Sequence, residues 1–123
     1  MGDFLEKNDI IKTWKISSVS CNEDCVEISF YDTEVTLLLD PEGDCCSRNW
    51  FEDFDDTNKL IDTYIHKLDE DPFYTNEEDP LDDCDETRIM HINDFTFKFR
   101  HTCNGYYSGW VNYNLKHCDE IKF

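Results

Sequence analysis

From residue 25 the chain alternates: Val26, Ile28 and Phe30 fall on one side of an extended backbone, and Glu27, Ser29 and Tyr31 on the other. A period of two marks a strand with one buried face. Asp32 and Thr33 make a tight turn, after which Val35, Leu37 and Leu39 resume the apolar side. Residues 25–40 therefore read as a β-hairpin, ended by Pro41. The alternation returns with Phe95, Phe97 and Phe99 between Thr96, Lys98 and Arg100. Residues 88–92 read as the preceding strand, joined through Asn93-Asp94, and Asn104-Gly105 predicts a turn into a return strand over 106–113. Residues 88–113 are thus expected to form a three-stranded meander. Residues 10–19 and 61–68 are further strand candidates.

The period changes in "GDCCSRNWFEDF", residues 43–54. Cys46, Trp50 and Phe54 stand at i, i+4 and i+8, with Phe51 flanking them, which predicts a short helix over about 46–54 whose aromatic side lies on the sheet. Asp44 is its N-cap candidate. The expected class is therefore α+β: mainly antiparallel sheet with one short helix after the Cys-Cys turn. Residues 69–86 hold ten acids in eighteen positions and two prolines, the composition of a solvated loop. An EF-hand order with its central glycine is missing there, so nothing marks the loop for calcium. With no linker composition anywhere, residues 1–123 are expected to form a single domain.

Charge narrows the partners. The chain has 11 basic and 29 acidic residues, a net charge of −18, which opposes direct nucleic-acid contact and attracts basic host or viral proteins. The bland reading of the same charge is solubility. No stretch approaches the ~18 apolar residues of a membrane span, and the first residues lack the basic start and apolar run of a secretion signal. Glu6 stands where a myristoylation signal after Gly2 needs Ser or Thr. An intracellular, non-secreted protein with no membrane contact is expected.

Seven cysteines, Cys21, Cys25, Cys45, Cys46, Cys84, Cys103 and Cys118, are an odd set without a secretion signal, so reduced thiols are expected. Cys21-x-x-x-Cys25 has a permissible zinc spacing, and Cys45, Cys46, Cys103, His117 or Cys118 offer the remaining ligand types, with nothing to fix which. A thiol at a helix N-terminus can be activated, but Glu42 and Asp44 disfavour a thiolate and no histidine stands near in sequence. Small buried thiols packed in the corner are the simpler reading.

The corner also carries a resemblance. Gly43, Asp44, Cys45, Cys46, Ser47 and Trp50, followed by "NKLIDTYIHKLDED", resemble a family of small uncharacterised domains with a Gly-Asp-Cys-Cys-Ser-x-x-Trp core, found in phages, bacteria and large DNA viruses. The acidic, cysteine-rich character is similar to that of proteins from the Marseillevirus group, such as Noumeavirus. The resemblance implies a structural role for Gly43, Asp44, Cys45, Cys46, Ser47 and Trp50 and implies no activity, and the aromatic spacing adds Phe51 and Phe54 to that structural set. No nucleophile elbow, phosphate loop or HExxH is present, so a non-enzyme is expected. The expected function is that of a small acidic viral structural or interaction module, located in the virion or the infected-host cytoplasm. A homodimer is its natural form, since a symmetric copy covers an exposed strand. The alternative is a zinc-binding or thiol-redox module using the Cys45-Cys46 corner with Cys21, Cys25, His117 or Cys118.

Overall fold

Nine strands account for most of the described backbone: β1 Ile16–Asn22, β2 Cys25–Phe30, β3 Val35–Gly43, β4 Arg48–Glu52, β5 Leu68–Glu70, β6 Tyr74–Thr75, β7 Asp85–Ile92, β8 Phe95–Thr102 and β9 Gly109–His117. They are seen in a computed structural model that describes residues 9–43, 48–71, 74–75, 85–102 and 109–117. The first sheet has the order β1-β2-β3-β9, and the second β4-β8-β7-β5 with β6 also paired to β7. Every pairing is antiparallel.

The β2–β3 hairpin forms where the alternation placed it, with Val26 opposite Leu39 and Ile28 opposite Leu37. Its turn takes Asp32 to φ 63°, a left-handed conformation that Asp tolerates better than most residues. Pro41 does not end β3, which continues to Gly43. Beyond Leu39 the strand has only β9 as a neighbour, and a strand flanked on one side accommodates a missing N–H. The β7–β8 hairpin likewise turns at Asn93, φ 55°.

Three further expectations are overturned. The α+β class fails, because the described residues contain no α-helix, only 3₁₀ turns at Asp9–Thr13 and Thr57–Lys59. Residues 48–52 are strand β4, with Trp50 opposite Arg100 and Phe51 opposite Phe99. A nine-residue helix gains little from propagation, whereas a strand here gives Phe51 a cross-strand aromatic partner. The meander also fails at its third strand. β8 already lies between β4 and β7, and β9 crosses to the other sheet, pairing with β3 from Val35–His117 to Gly43–Gly109. The acidic segment is not loop throughout, since β5, β6 and the start of β7 fall inside it. No described helix is long and apolar enough to cross a membrane.

The two sheets share one core. Ile16, Val26, Ile28, Leu37 and Leu39 from the first cluster with Phe51, Met90, Ile92, Phe95, Phe97 and Phe99 from the second, joined by Ile11, Leu60 and Ile65. Phe51 meets Phe97 edge-on at 5.1 Å and Phe99 at 6.0 Å, contacts that each add about 0.5–1.5 kcal/mol beyond burial. A polar tie also crosses between the sheets: Tyr113 of β9 donates to Glu70 Oε2 of β5 at 2.5 Å, and Glu70 accepts from Arg88 as well. Burial and the Glu70 carboxylate push the Tyr113 phenol well above its usual range.

Candidate functional site

The sequence points to the cysteine corner. Gly43 closes β3 opposite Gly109, while Asp44, Cys45, Cys46 and Ser47 lie outside the described residues. A Cβ on Gly109 would stand 2.4 Å from Asn49 Oδ1 and 2.5 Å from His101 Nδ1. Those two atoms are 2.7 Å apart, and His101 is buried. The start of β9 is thus pressed onto a part-buried polar pair, which is why glycine stands there. Phe51 is buried, and Phe54 stacks on Phe97 at 5.5 Å. Trp50 faces the other side of β4, donates to Glu52 Oε1 at 2.9 Å, and has the guanidinium groups of Arg48 and Arg100 at 4.6 and 5.7 Å from its ring.

The candidate zinc ligands do not converge where they can be followed. Cys21 pairs with Val26 on the core side of the hairpin, and Cys25, opposite Asn22, has the reverse parity and faces outward. Burial pushes the Cys21 thiol up to about 11. Burial, then the charges of Asp40 and Glu27, push Cys25 to about 11, the reverse of what a thiolate ligand or nucleophile needs. His117 pairs with Val35, whereas Cys25 lies beside the Leu39 end of β3, about 15 Å away at the usual rise of a strand. Among the described residues no group of three or more His, Cys, Asp or Glu is placed to hold a metal. Cys45, Cys46 and Cys118 lie outside them.

The concave chemistry lies elsewhere. Thr13, Trp14, Lys15, Tyr31, Asp32, Asp62 and Tyr64 line an open cleft of about 500 Å³. Three separated segments build it, and backbone hydrogen bonds hold them together. Ile16 N donates to Thr63 O at 2.9 Å, Asp62 N to Ile16 O at 2.8 Å, and Tyr31 N to Lys15 O at 2.9 Å. Lys15 also bridges Tyr64. Behind the wall, buried Asn93 accepts from His66 N and Lys67 N and donates to Tyr64 O at 2.8 Å, so the β7–β8 turn fixes the segment that carries Tyr64.

The cleft's surfaces are aromatic and acidic. Tyr31 and Tyr64 are 44% and 48% exposed, high for residues of their size, while Trp14 is half-buried with its ring 5.5 Å from Phe30. Tyr31 donates its hydroxyl to Asp62 Oδ1 at 2.9 Å, and that bond, with the carboxylate charge, raises its pKa. Asp32 and Asp62 both take left-handed φ, 63° and 68°. Among the described residues Lys15 is the one basic side chain of the lining. π-faces beside carboxylates suit a cation: the ring quadrupole attracts it and the carboxylates take its N–H groups. Sequence reasoning missed this site because Tyr31 reads only as the polar side of a strand, and nothing local links it to residues 13–15 or 62–64.

No family profile matches the chain, and no solved structure matches it significantly. A curated protein does: uncharacterised protein L278 of Acanthamoeba polyphaga mimivirus is 33% identical over 112 residues, spanning 82% of this chain and 86% of that one. Similarity at this level over most of both chains gives a giant-virus kinship, and the relative's name states no activity. The chain belongs to the giant-virus protein family that includes mimivirus protein L278.

Proposed function

We propose that this protein is an interaction module whose Trp14–Tyr31–Tyr64 cleft receives cationic side chains of a basic host or viral protein. The observation that carries the reading is the cleft itself: exposed aromatic faces beside Asp32 and Asp62 on a chain of net charge −18. A cation over an exposed ring gains about 0.5–1 kcal/mol, and up to ~2 when desolvated. One side chain therefore gives weak binding, and a segment with several basic residues gains further from the long-range field, which speeds encounter and is screened by salt. The reading is one of recognition, not catalysis, and it fits a protein acting in the virion or in the host cytoplasm. The acidic, cysteine-rich composition supports a finer placement beside the Marseillevirus group within the giant viruses.

The test is calorimetric titration with a lysine- and arginine-rich peptide and a glutamine-substituted control. Binding of the basic peptide alone, weakened at least fivefold by Tyr64→Ala or Asp62→Asn and further by salt, is expected. Equal binding by wild type and both variants would remove the cleft from the account.

A further inference from the structure

We propose a second, separate surface: β9 is a self-association edge, along which a second copy of this chain adds its own β9 in antiparallel register. β9 is the last strand of the first sheet, paired through its nine residues with β3. Among the described residues no strand lies along its other side. The other long edges are treated differently. β1 carries a bulge between Ile16 and Ser18, and its start is tied to Asp62 and Thr63. β4 is held by Phe51 N donating to Glu23 O at 3.0 Å, and β5 is three residues long. Bulges, shortness, proline, charged side chains and a covering strand are the usual protections of an edge; among the described residues β9 has no bulge, no proline and no covering strand, and it carries a single lysine, Lys116.

Charge selects the occupant. Two chains of net charge −18 repel over most of their surfaces, yet from Phe95 to His117 the sequence contains no Asp or Glu. β9 lies within that acid-free stretch and adds Lys116 to it. Its own side chains add no repulsion to a second copy's approach, and the acids beside it, Asp40 and Glu42 of β3, stand opposite Asn112 and Trp110, on the flank away from the incoming strand. The register that pairs all nine residues is centred on Tyr113. It sets Trp110, 40% exposed, against Lys116 of the second copy, a cation–π pairing made twice by the symmetry. Asn112 then meets Asn114, both amides able to donate and accept. The cleft lies by β1, at the far edge of the same sheet. A β9 dimer leaves both clefts open and binds a multivalent basic partner with avidity.

Sedimentation velocity at ~10–100 μM protein, in 0.15 and 0.5 M salt, tests this. A dimer that strengthens with salt, as screening relieves self-repulsion, is expected. Asn112→Glu with Asn114→Glu should return it to monomer with an unchanged circular dichroism spectrum, and Trp110→Ala should weaken it about tenfold. Trp110→Ala carries the test if the double variant does not fold. Ser20→Glu on β1 should leave the dimer intact. Monomer under every condition, a dimer indifferent to the β9 changes, or one lost through Ser20→Glu would each overturn the proposal, and none of these results bears on the cleft.

Discussion

Truncating the two neighbouring aromatics of β4 separates the strand from the helix that residue spacing suggested. In a helix, Trp50 shares the core side with Phe54; in the strand, Phe51 points inward and Trp50 outward. Phe51 has no exposed surface and touches Phe97 and Phe99 edge-on, so Phe51→Ala should cost about 3–5 kcal/mol. Trp50→Ala removes a hydrogen bond to Glu52 and two guanidinium contacts from a half-buried ring, and it opens no enclosed cavity. At about 0.5–1 kcal/mol for each of these three partly exposed interactions, it should cost about 1.5–3 kcal/mol, less than the buried ring. Urea unfolding, monitored by far-ultraviolet circular dichroism, reads the difference. With a slope of about 1.5 kcal/mol per molar, the midpoint should fall by roughly 2–3 M for Phe51→Ala and by roughly 1–2 M for Trp50→Ala. The reverse order would refute the strand.

Two further predictions concern the corner and the thiols. Gly109→Ala drives a methyl into the Asn49–His101 pair and should cost at least about 1–3 kcal/mol, read as a thermal midpoint lowered by several degrees; a loss under about 0.5 kcal/mol would show that the pair yields freely. Cys21 and Cys25, raised to about 11 from an ordinary value near 9, should label at pH 8 about a hundredfold more slowly in the folded protein than in urea. Because the folded thiols hold their protons more tightly, the stability they contribute is intact below pH 9 and falls as pH rises from 9 through 11. Urea midpoints unchanged between pH 8 and 10.5 would contradict the shift.

The sequence made the hairpins legible because both partners of each are neighbours in the chain and their alternation is long: Val26, Ile28 and Phe30 against Leu37 and Leu39, and Phe95, Phe97 and Phe99 against Met90 and Ile92. Short segments were not legible in the same way. Trp50 and Phe54 satisfy a helical spacing as readily as Trp50 and Phe51 satisfy strand alternation, and what decides between them is β8, about fifty residues away in sequence, with Phe99 waiting opposite Phe51. β9 shows the same non-locality: Asn104-Gly105 suggested a return onto β8, but that flank was already taken by β4. The cleft is the extreme case. Tyr31, Asp62 and Tyr64 become neighbours only when Ile16 bonds residues 62–63 and Asn93 pins Tyr64 from behind, links that no local pattern contains. Charge alone was readable in advance, and it pointed to the kind of partner without pointing to the place.

The most direct test of the central claim is a ¹H–¹⁵N correlation titration of the whole protein with the basic peptide. The account predicts that the saturating shifts gather at Trp14, Lys15, Tyr31, Asp32, Asp62 and Tyr64, with the Trp50 and Trp110 indoles unmoved. Shifts scattered over the acidic surface, or centred on β9 with the cleft silent, would contradict it.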